Sequence, residues 1–171
     1  MIMKSFIQAI FFAAAVTAAH VPVRRADTPN GFRLWANMTY PDLPPEFGPN
    51  VQADCLAEIV LVPAGQGSIF RTDDDTVGVA HLGGDSSPSA GMVITPGGTA
   101  TVPSPNTVEL KCSGGTPGII VTADGLGYPK EASPNGGFMA CKRENNVALS
   151  FFRAGQRPLL GCSVVQLLPI Y

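Results

Sequence analysis

Glycine and proline interrupt this chain at short intervals, and their spacing limits the folds available to it. The 171 residues include 19 glycines and 16 prolines, most of which separate short apolar runs. Because both residues are unfavourable in helix interiors, this spacing is typical of strands joined by turns. No stretch beyond the first 19 residues shows a sustained helical period. We therefore predict an all-β protein.

The clearest strand prediction is the segment 32–39. Every second residue from Phe32 to Met38 is apolar. Successive side chains of a strand point to opposite faces, so Trp35 and Asn37 are expected together on the outer face.

Other segments predict further strands of two kinds. Nearly continuous apolar runs at 56–62 and 163–168 predict strands covered on both faces. Alternation or shorter apolar runs predict strands at 107–112, 147–152, 67–71, 76–82, 91–94, 118–122 and 137–141. Long loops rich in Pro, Gly, Ser or Asn are predicted at 40–50, 83–90, 95–106 and 123–136. We predict a single β domain over 31–171, built as an antiparallel β-sandwich or an irregular barrel with long Gly/Pro-rich loops.

The N-terminus has the form of an export signal. One lysine among the first five residues is followed by an apolar run, Phe6–Ala19, which is too short to span a bilayer. Small residues at its end fit cleavage after Ala18 or after Ala19. We assign 1–19 as a signal peptide and predict a secreted, extracellular protein.

Residues 20–30 are interpreted as a short propeptide or linker. The dibasic pair Arg24-Arg25 adds a second cleavage hypothesis, with a mature chain that begins at Ala26. Eleven basic residues, less Lys4 and this pair, leave eight against 13 acidic ones, a net charge of about −5. An acidic chain without a basic cluster is a poor binder of nucleic acid or anionic membranes. We expect neither as a partner.

Four cysteines, Cys55, Cys112, Cys141 and Cys162, predict two disulfides in an exported chain. Their wide spacing does not fit a zinc site, and no metal is predicted. Three pairings are open. We favour Cys55–Cys162 with Cys112–Cys141, because Cys55 and Cys162 each open an apolar run of similar length that ends in proline. The expected role of the disulfides is stability.

Two neighbours on the outer face of segment 32–39 are candidate functional residues. Asn37-Met38-Thr39 is an N-glycosylation sequon, and its outward asparagine favours use. Trp35 is a candidate binding residue, since an exposed tryptophan stacks on sugars or anchors a protein partner. The alternative for Trp35 is burial under a loop or a second sheet, which is common for tryptophan.

The other polar motifs favour structural roles. Asp73-Asp74-Asp75 is interpreted as a solvated hairpin turn, because calcium loops space their ligands at alternate positions. His81 is the one histidine after residue 25, and no nucleophile motif accompanies it. The carboxylate pairs Glu109 with Glu131 and Asp54 with Glu58 have no spacing that would make a glycosidase. We predict no catalytic residue and no cofactor.

An ordered set of short motifs runs through most of this chain. They are Gly31-Phe32-Arg33-Leu34-Trp35, Cys55 followed by Val60-Leu61-Val62-Pro63, Gly97–Pro103, Val108–Cys112, Gly137–Cys141, Val147–Gly155 and Gly161–Pro169. With these motifs the chain resembles a family of small secreted proteins of filamentous ascomycete fungi, known as a domain of unknown function. The resemblance implies a secreted fungal β domain and supplies no catalytic residues.

Two classes of function follow as expectations. The first is a non-enzymatic secreted interaction protein, either effector-like or cell-wall-associated, because loops on a rigid β scaffold commonly carry recognition. The alternative is a carbohydrate-binding domain for wall or host polysaccharide, with Trp35 and either Tyr40 or Tyr128 as a stacking platform. A small hydrolase using His81 or a carboxylate pair is the third and weakest hypothesis.

Overall fold

The computed structural model of the protein describes residues 31–38, 43–82, 88–95, 106–132 and 136–171. Across these ranges the chain forms thirteen strands and one four-residue helix. They are β1 (Arg33–Asn37), β2 (Glu46–Ala53), β3 (Leu56–Val62), β4 (Phe70–Asp73), β5 (Thr76–Val79), β6 (Ala90–Ile94), β7 (Asn106–Lys111), β8 (Ile120–Thr122), β9 (Gly125–Gly127), α1 (Pro129–Ala132), β10 (Gly137–Lys142), β11 (Val147–Phe152), β12 (Cys162–Val164) and β13 (Gln166–Ile170). The predicted signal peptide and the Arg24-Arg25 site lie outside the described ranges.

The prediction of an all-β antiparallel fold is confirmed. Eleven strands form one sheet whose main path is β13-β1-β2-β3-β11-β7-β6-β5-β4, while β10 and β12 continue from β11, and β8 and β9 form a small separate sheet. One edge of β3 holds two partners, because Glu58 pairs with Glu109 of β7 and Val60 pairs with Ala148 of β11. The sheet therefore divides around β3, β7 and β11.

The two branches of the divided sheet close next to β1, one on each side. An antiparallel bridge joins Phe32, just before β1, to Phe70 at the start of β4, with N···O distances of 2.9 and 2.7 Å. On the other side, β13 pairs with β1 while β12 pairs with β10, and only Val165 separates β12 from β13. These closures make the architecture an irregular barrel.

One large apolar cluster fills the space that the sheet encloses. Phe32, Leu34 and Ala36, which alternate along β1, all belong to it and are buried. Aromatic rings pack there too, with the Phe151 centroid 5.4 Å from that of Phe138 and 5.6 Å from that of Tyr128. A smaller cluster of Met139, Cys141 and Phe152 lies apart from it.

Two disulfides are present, but the predicted pairing is wrong. The bonds are Cys55–Cys112 and Cys141–Cys162, and all four cysteines are used. Two cysteines that each open a strand lie at opposite ends of an antiparallel pair, so the pairing Cys55–Cys162 does not suit this sheet.

Each observed disulfide instead joins the start of one strand to the end of another. Cys55 directly precedes β3 and Cys112 directly follows β7, where Leu56 pairs with Lys111. Cys141 lies near the end of β10 and is the register partner of Cys162, which opens β12.

Several predicted loops and strands also need correction. The predicted loop 40–50 overlaps β2, and the predicted loop 123–136 contains β9 and α1. The apolar run 163–168, expected to be one strand, is divided between β12 and β13. Residues 83–87 of the predicted loop 83–90 and residues 96–105 of the predicted loop 95–106 fall in the gaps between the described ranges.

Candidate functional site

Exposed apolar side chains gather around β1. Four of the eight large apolar side chains that the described residues expose lie there: Trp35, Ile69, Ile170 and Tyr171, with exposed fractions of 37, 46, 48 and 67%. We call these four residues the β1 patch. Large apolar patches on a protein surface commonly mark interaction sites.

The neighbours of β1 explain this grouping. Ile170 of β13 is the register partner of Arg33, and the ring of Tyr171 lies 6.0 Å from the ring of Phe32. A Cβ atom added to Gly31 would lie 2.7 Å from Cγ2 of Ile69, so the isoleucine covers the glycine. Strand pairing and the bridge at Phe32 therefore bring residues that are distant in sequence next to β1, with Ile170 on the same face as Trp35 and Tyr171 against Phe32 at the end of the strand.

Trp35 lies at the middle of β1, two residues beyond Arg33. Its register partners are Leu168 on β13 and Glu46 on β2. The outward position predicted from alternation is confirmed, and no loop within the described ranges buries Trp35, since more than a third of the residue is exposed. Whether Trp35 binds a ligand remains a prediction.

Tyr128 cannot join Trp35 in a stacking platform. It is buried in the main cluster with its ring against Phe151, and only 8% of the residue is exposed. Tyr40, the other proposed partner, lies in the undescribed stretch 39–42. Tyr128 is therefore a core residue and cannot contact a ligand at the surface.

Asn37 ends β1 in an exposed position and takes part in a chain of hydrogen bonds. Its Nδ2 donates to Oε1 of Gln166 on β13 at 3.0 Å, and Nε2 of Gln166 donates to the carbonyl oxygen of Asp124 at 2.7 Å. The exposed side chain suits the predicted use of the sequon, which stays a prediction.

A buried carboxylate lies beside Trp35. Glu46 accepts a hydrogen bond from the Gly67 N–H at 2.7 Å, and its Oε2 lies 3.3 Å from the Arg33 guanidinium, which also donates to the Gly67 carbonyl. Burial alone would raise the pKa of Glu46, but the N–H groups of Gly65 and Gly67 and the charge of Arg33 outweigh it and lower the pKa. Glu46 is thus held as a carboxylate that fixes the β3–β4 connection against β1 and β2.

The hairpin turn predicted for the three aspartates is present. Asp73 and Thr76 pair at the ends of β4 and β5, with Asp74 and Asp75 between them. Asp74 has a φ of 52°, a left-handed conformation that aspartate tolerates better than most residues. All three aspartates are exposed.

The remaining catalytic candidates are dispersed. His81 is exposed and lies two residues beyond β5. Glu109 is paired with Lys111 at 2.8 Å and Glu131 with Arg153 at 2.6 Å, so each of these carboxylates has its own cation. Within the described ranges, no cluster of three histidine, cysteine or acidic residues could hold a metal ion. No helix found there is long and apolar enough to span a membrane.

A polar groove was missed in the sequence. It has a volume of about 710 Å³ and is lined by side chains that are all polar or charged: Asn50, Gln52, Glu58, Lys142, Arg143, Glu144, Asn145 and Asn146. The groove lies between β2 and the β10–β11 hairpin, and the loop predicted at 40–50 hid the strand that forms one wall. The amides and charges suit a polar ligand.

Comparison with known proteins identifies the family. The chain matches the family described as domain of unknown function (DUF7907) over residues 29–171. The match covers most of the chain, so the chain belongs to this family. No curated protein and no solved structure matches it.

Proposed function

We propose that this member of the DUF7907 family is a secreted, non-enzymatic interaction protein that binds a protein partner through the β1 patch. The observation that carries the proposal is the grouping of Trp35, Ile69, Ile170 and Tyr171 around one strand. The buried core of a protein interface is apolar, and aromatic side chains such as those of Trp35 and Tyr171 commonly supply much of its binding energy. A partner that covers this patch would remove its apolar surface from water.

Export would support this function, and it is inferred from features other than the β1 patch. The segment 1–19 has the form of a signal peptide, and two disulfides are typical of an oxidising compartment. The resemblance to small secreted proteins of filamentous fungi supports a fungal source. A secreted fungal protein of this kind would act on a host or in the fungal cell wall. The partner would then be an extracellular protein of the host or of the wall.

Binding tests should compare two pairs of exposed apolar residues. Ile69→Ser with Ile170→Ser reduces the β1 patch, while Leu160→Ser with Val164→Ser removes two exposed apolar side chains elsewhere. A partner identified by cross-linking to the exported protein is purified, and its Kd is measured for each form. We expect the first pair to weaken binding about tenfold or more and the second pair to leave it unchanged. Equal affinities of both pairs and the unaltered protein would refute the β1 patch as the site.

A second candidate function is carbohydrate binding, which the exposed ring of Trp35 favours. A sugar ring stacked on Trp35 would lie beside the amides of Asn37 and Gln166. Retention of the protein on insoluble chitin, β-glucan, cellulose or xylan, lost in Trp35→Ala, would support this candidate. Retention on none of the four polymers would favour the protein partner.

A further inference from the structure

Trp35 and Asn37 are close enough for a glycan on Asn37 to contact the Trp35 ring. They are two residues apart on one strand, and both side chains are exposed on the same face. Two residues of rise along a strand amount to about 7 Å. A sugar attached to the Asn37 amide therefore begins within reach of the tryptophan ring.

The hydrogen bonds of Asn37 fix which way its amide faces. Gln166 must direct Nε2 to the Asp124 carbonyl, which can only accept, so Oε1 of Gln166 faces Asn37. Asn37 must then present Nδ2 to Gln166. An asparagine amide carries two N–H bonds, and this contact uses one of them. The other has no acceptor among the described residues, so it can carry a substituent while the hydrogen bond to Gln166 is kept.

We propose that Asn37 carries an N-linked glycan whose first sugar, N-acetylglucosamine, lies against the ring of Trp35. In the transfer, a bond forms between C1 of this sugar and Nδ2 of Asn37, as the bond from C1 to the pyrophosphate of a lipid-linked oligosaccharide donor breaks. The lipid pyrophosphate leaves, and one hydrogen of Nδ2 is lost as a proton. The inference rests on the proposed export, since the donor and the transferase belong to the secretory pathway.

The sugar would shield the exposed side chain of Trp35 from solvent. C–H groups on one face of a pyranose ring pack on the electron-rich face of an aromatic ring, and the contact removes apolar surface from water. The sugar that Trp35 contacts is then part of the chain's own glycan and not an external polysaccharide. It also limits the β1 patch on one side and leaves Ile69, Ile170 and Tyr171 for the partner.

The modification is tested with the full chain expressed in a eukaryotic host. Intact mass and glycopeptide mapping are recorded for protein from the medium and from the cells. Thr39→Ser keeps the sequon and Thr39→Ala removes it, while both leave Trp35 and Asn37 in place. We expect a glycan on Asn37 in the unaltered chain and in Thr39→Ser, and none in Thr39→Ala.

The stacking is tested by fluorescence, because Trp35 is the only tryptophan in the chain. Collisional quenching by acrylamide is compared between the glycosylated protein and Thr39→Ala. We expect quenching to be about twofold weaker in the glycosylated protein, since the sugar covers the ring. Trimming to a single N-acetylglucosamine should keep this protection, because the first sugar makes the contact.

A difference in melting temperature gives a second test. Loss of the glycan in Thr39→Ala should lower the melting temperature relative to Thr39→Ser by about 2–4 °C. The same pair in a Trp35→Leu background should show a smaller difference, because the ring that the sugar contacts is absent.

The outcomes separate the inference from the proposed function. Protein in the medium without a glycan on Asn37 would refute the inference and leave export standing. Glycosylated protein that stays in the cell would refute secretion and support the modification. Equal quenching of the glycosylated protein and Thr39→Ala would refute the contact with Trp35.

Discussion

The two faces of β1 show different uses of the same five-residue strand. On the inner face, Leu34 and Ala36 are buried in the main apolar cluster. On the outer face, Arg33 pairs with Glu46, Trp35 is partly exposed and Asn37 is bonded to Gln166. The packing of the inner residues depends on their shape and volume. The outer residues Arg33 and Asn37 make specific polar contacts, and Trp35 is partly exposed to solvent.

This difference separates stability from recognition. An inner residue is surrounded by side chains that cannot move far, so a change of volume there costs free energy. An outer apolar residue can change at little cost to folding, so its side chain can serve a ligand or a partner. Substitutions on the two faces should therefore have separable effects.

The largest effect is expected from Leu34→Ala on the inner face. Leu34 is fully buried, and its truncation leaves a cavity that should cost about 2–5 kcal/mol of unfolding free energy. Chemical denaturation monitored by Trp35 fluorescence measures this cost. Trp35→Phe, followed by circular dichroism, is the matched outer substitution and should cost much less. Similar costs on both faces would contradict the comparison.

Loss of a disulfide should have an effect in the same range, because the disulfides hold together strands that enclose the inner face. Their cysteines are separated by 57 and 21 residues, which in the chain-entropy estimate correspond to about 4 kcal/mol for Cys55–Cys112 and about 3 kcal/mol for Cys141–Cys162. Replacing both cysteines of a bond by serine, followed by denaturation, measures each value.

The pairing itself has a direct check. Peptide mapping without reduction should recover Cys55 linked to Cys112, and Cys141 linked to Cys162. Recovery of a peptide that links Cys55 to Cys162 would contradict the described fold.

An intermediate effect, dependent on pH, is expected at Glu46 on the outer side of the sheet. Its pKa is lowered in the folded protein, so its contribution to stability is present above the unfolded value of about 4.3 and is lost as the pH falls through the folded value. Glu46→Gln should destabilise the protein at pH 7, and the difference from the unaltered protein should shrink at pH 3. Unfolding free energies at the two pH values measure this change.

Gly67→Ala provides a second test of the same contact. An added Cβ would lie 2.6 Å from Oε2 of Glu46, which would displace the carboxylate from the N–H that binds it. We expect Gly67→Ala to reproduce the pH dependence of Glu46→Gln. A Gly67→Ala protein with an unaltered pH profile would show that this contact does not hold the carboxylate.

The smallest effect on folding is expected from Ile170→Ser in the β1 patch. Almost half of Ile170 is exposed, so its replacement should lower the unfolding free energy by only about 1 kcal/mol. The same variant should lose affinity for the partner. A large loss of stability without a loss of binding would reverse the roles assigned to the two faces.

The strands that the sequence predicted are those with local apolar patterns. Alternation located β1, β7 and β11, and a continuous apolar run located β3 with its observed bounds. β2 was missed because Gly48 and Pro49 resemble a loop, yet Pro49 pairs with Ile59 and the neighbouring Phe47 is fully buried. Pairing with β3 overrides the local preference there, and such pairing is not visible in a local pattern.

The candidate site could be predicted only in part for the same reason. The outward position of Trp35 and Asn37 follows from the period of a strand. Ile69, Ile170 and Tyr171 join Trp35 through the Phe32–Phe70 bridge and the β1–β13 pairing, which connect distant parts of the chain. The disulfide error has a similar origin, since the partner of Cys162 depends on the division of one apolar run at Val165.

The β1–β13 pairing also has a consequence for biosynthesis. Asn37 and Gln166, which face each other across it, are 129 residues apart. At about 5–20 residues per second, a ribosome needs roughly 6–26 s to make that interval. During this time β1 and its neighbour β2 have been made and β13 has not, so one edge of β1 stays unpaired. Unpaired strand edges and exposed apolar surface make a nascent chain prone to aggregation, so we expect chaperones to bind this chain over those seconds.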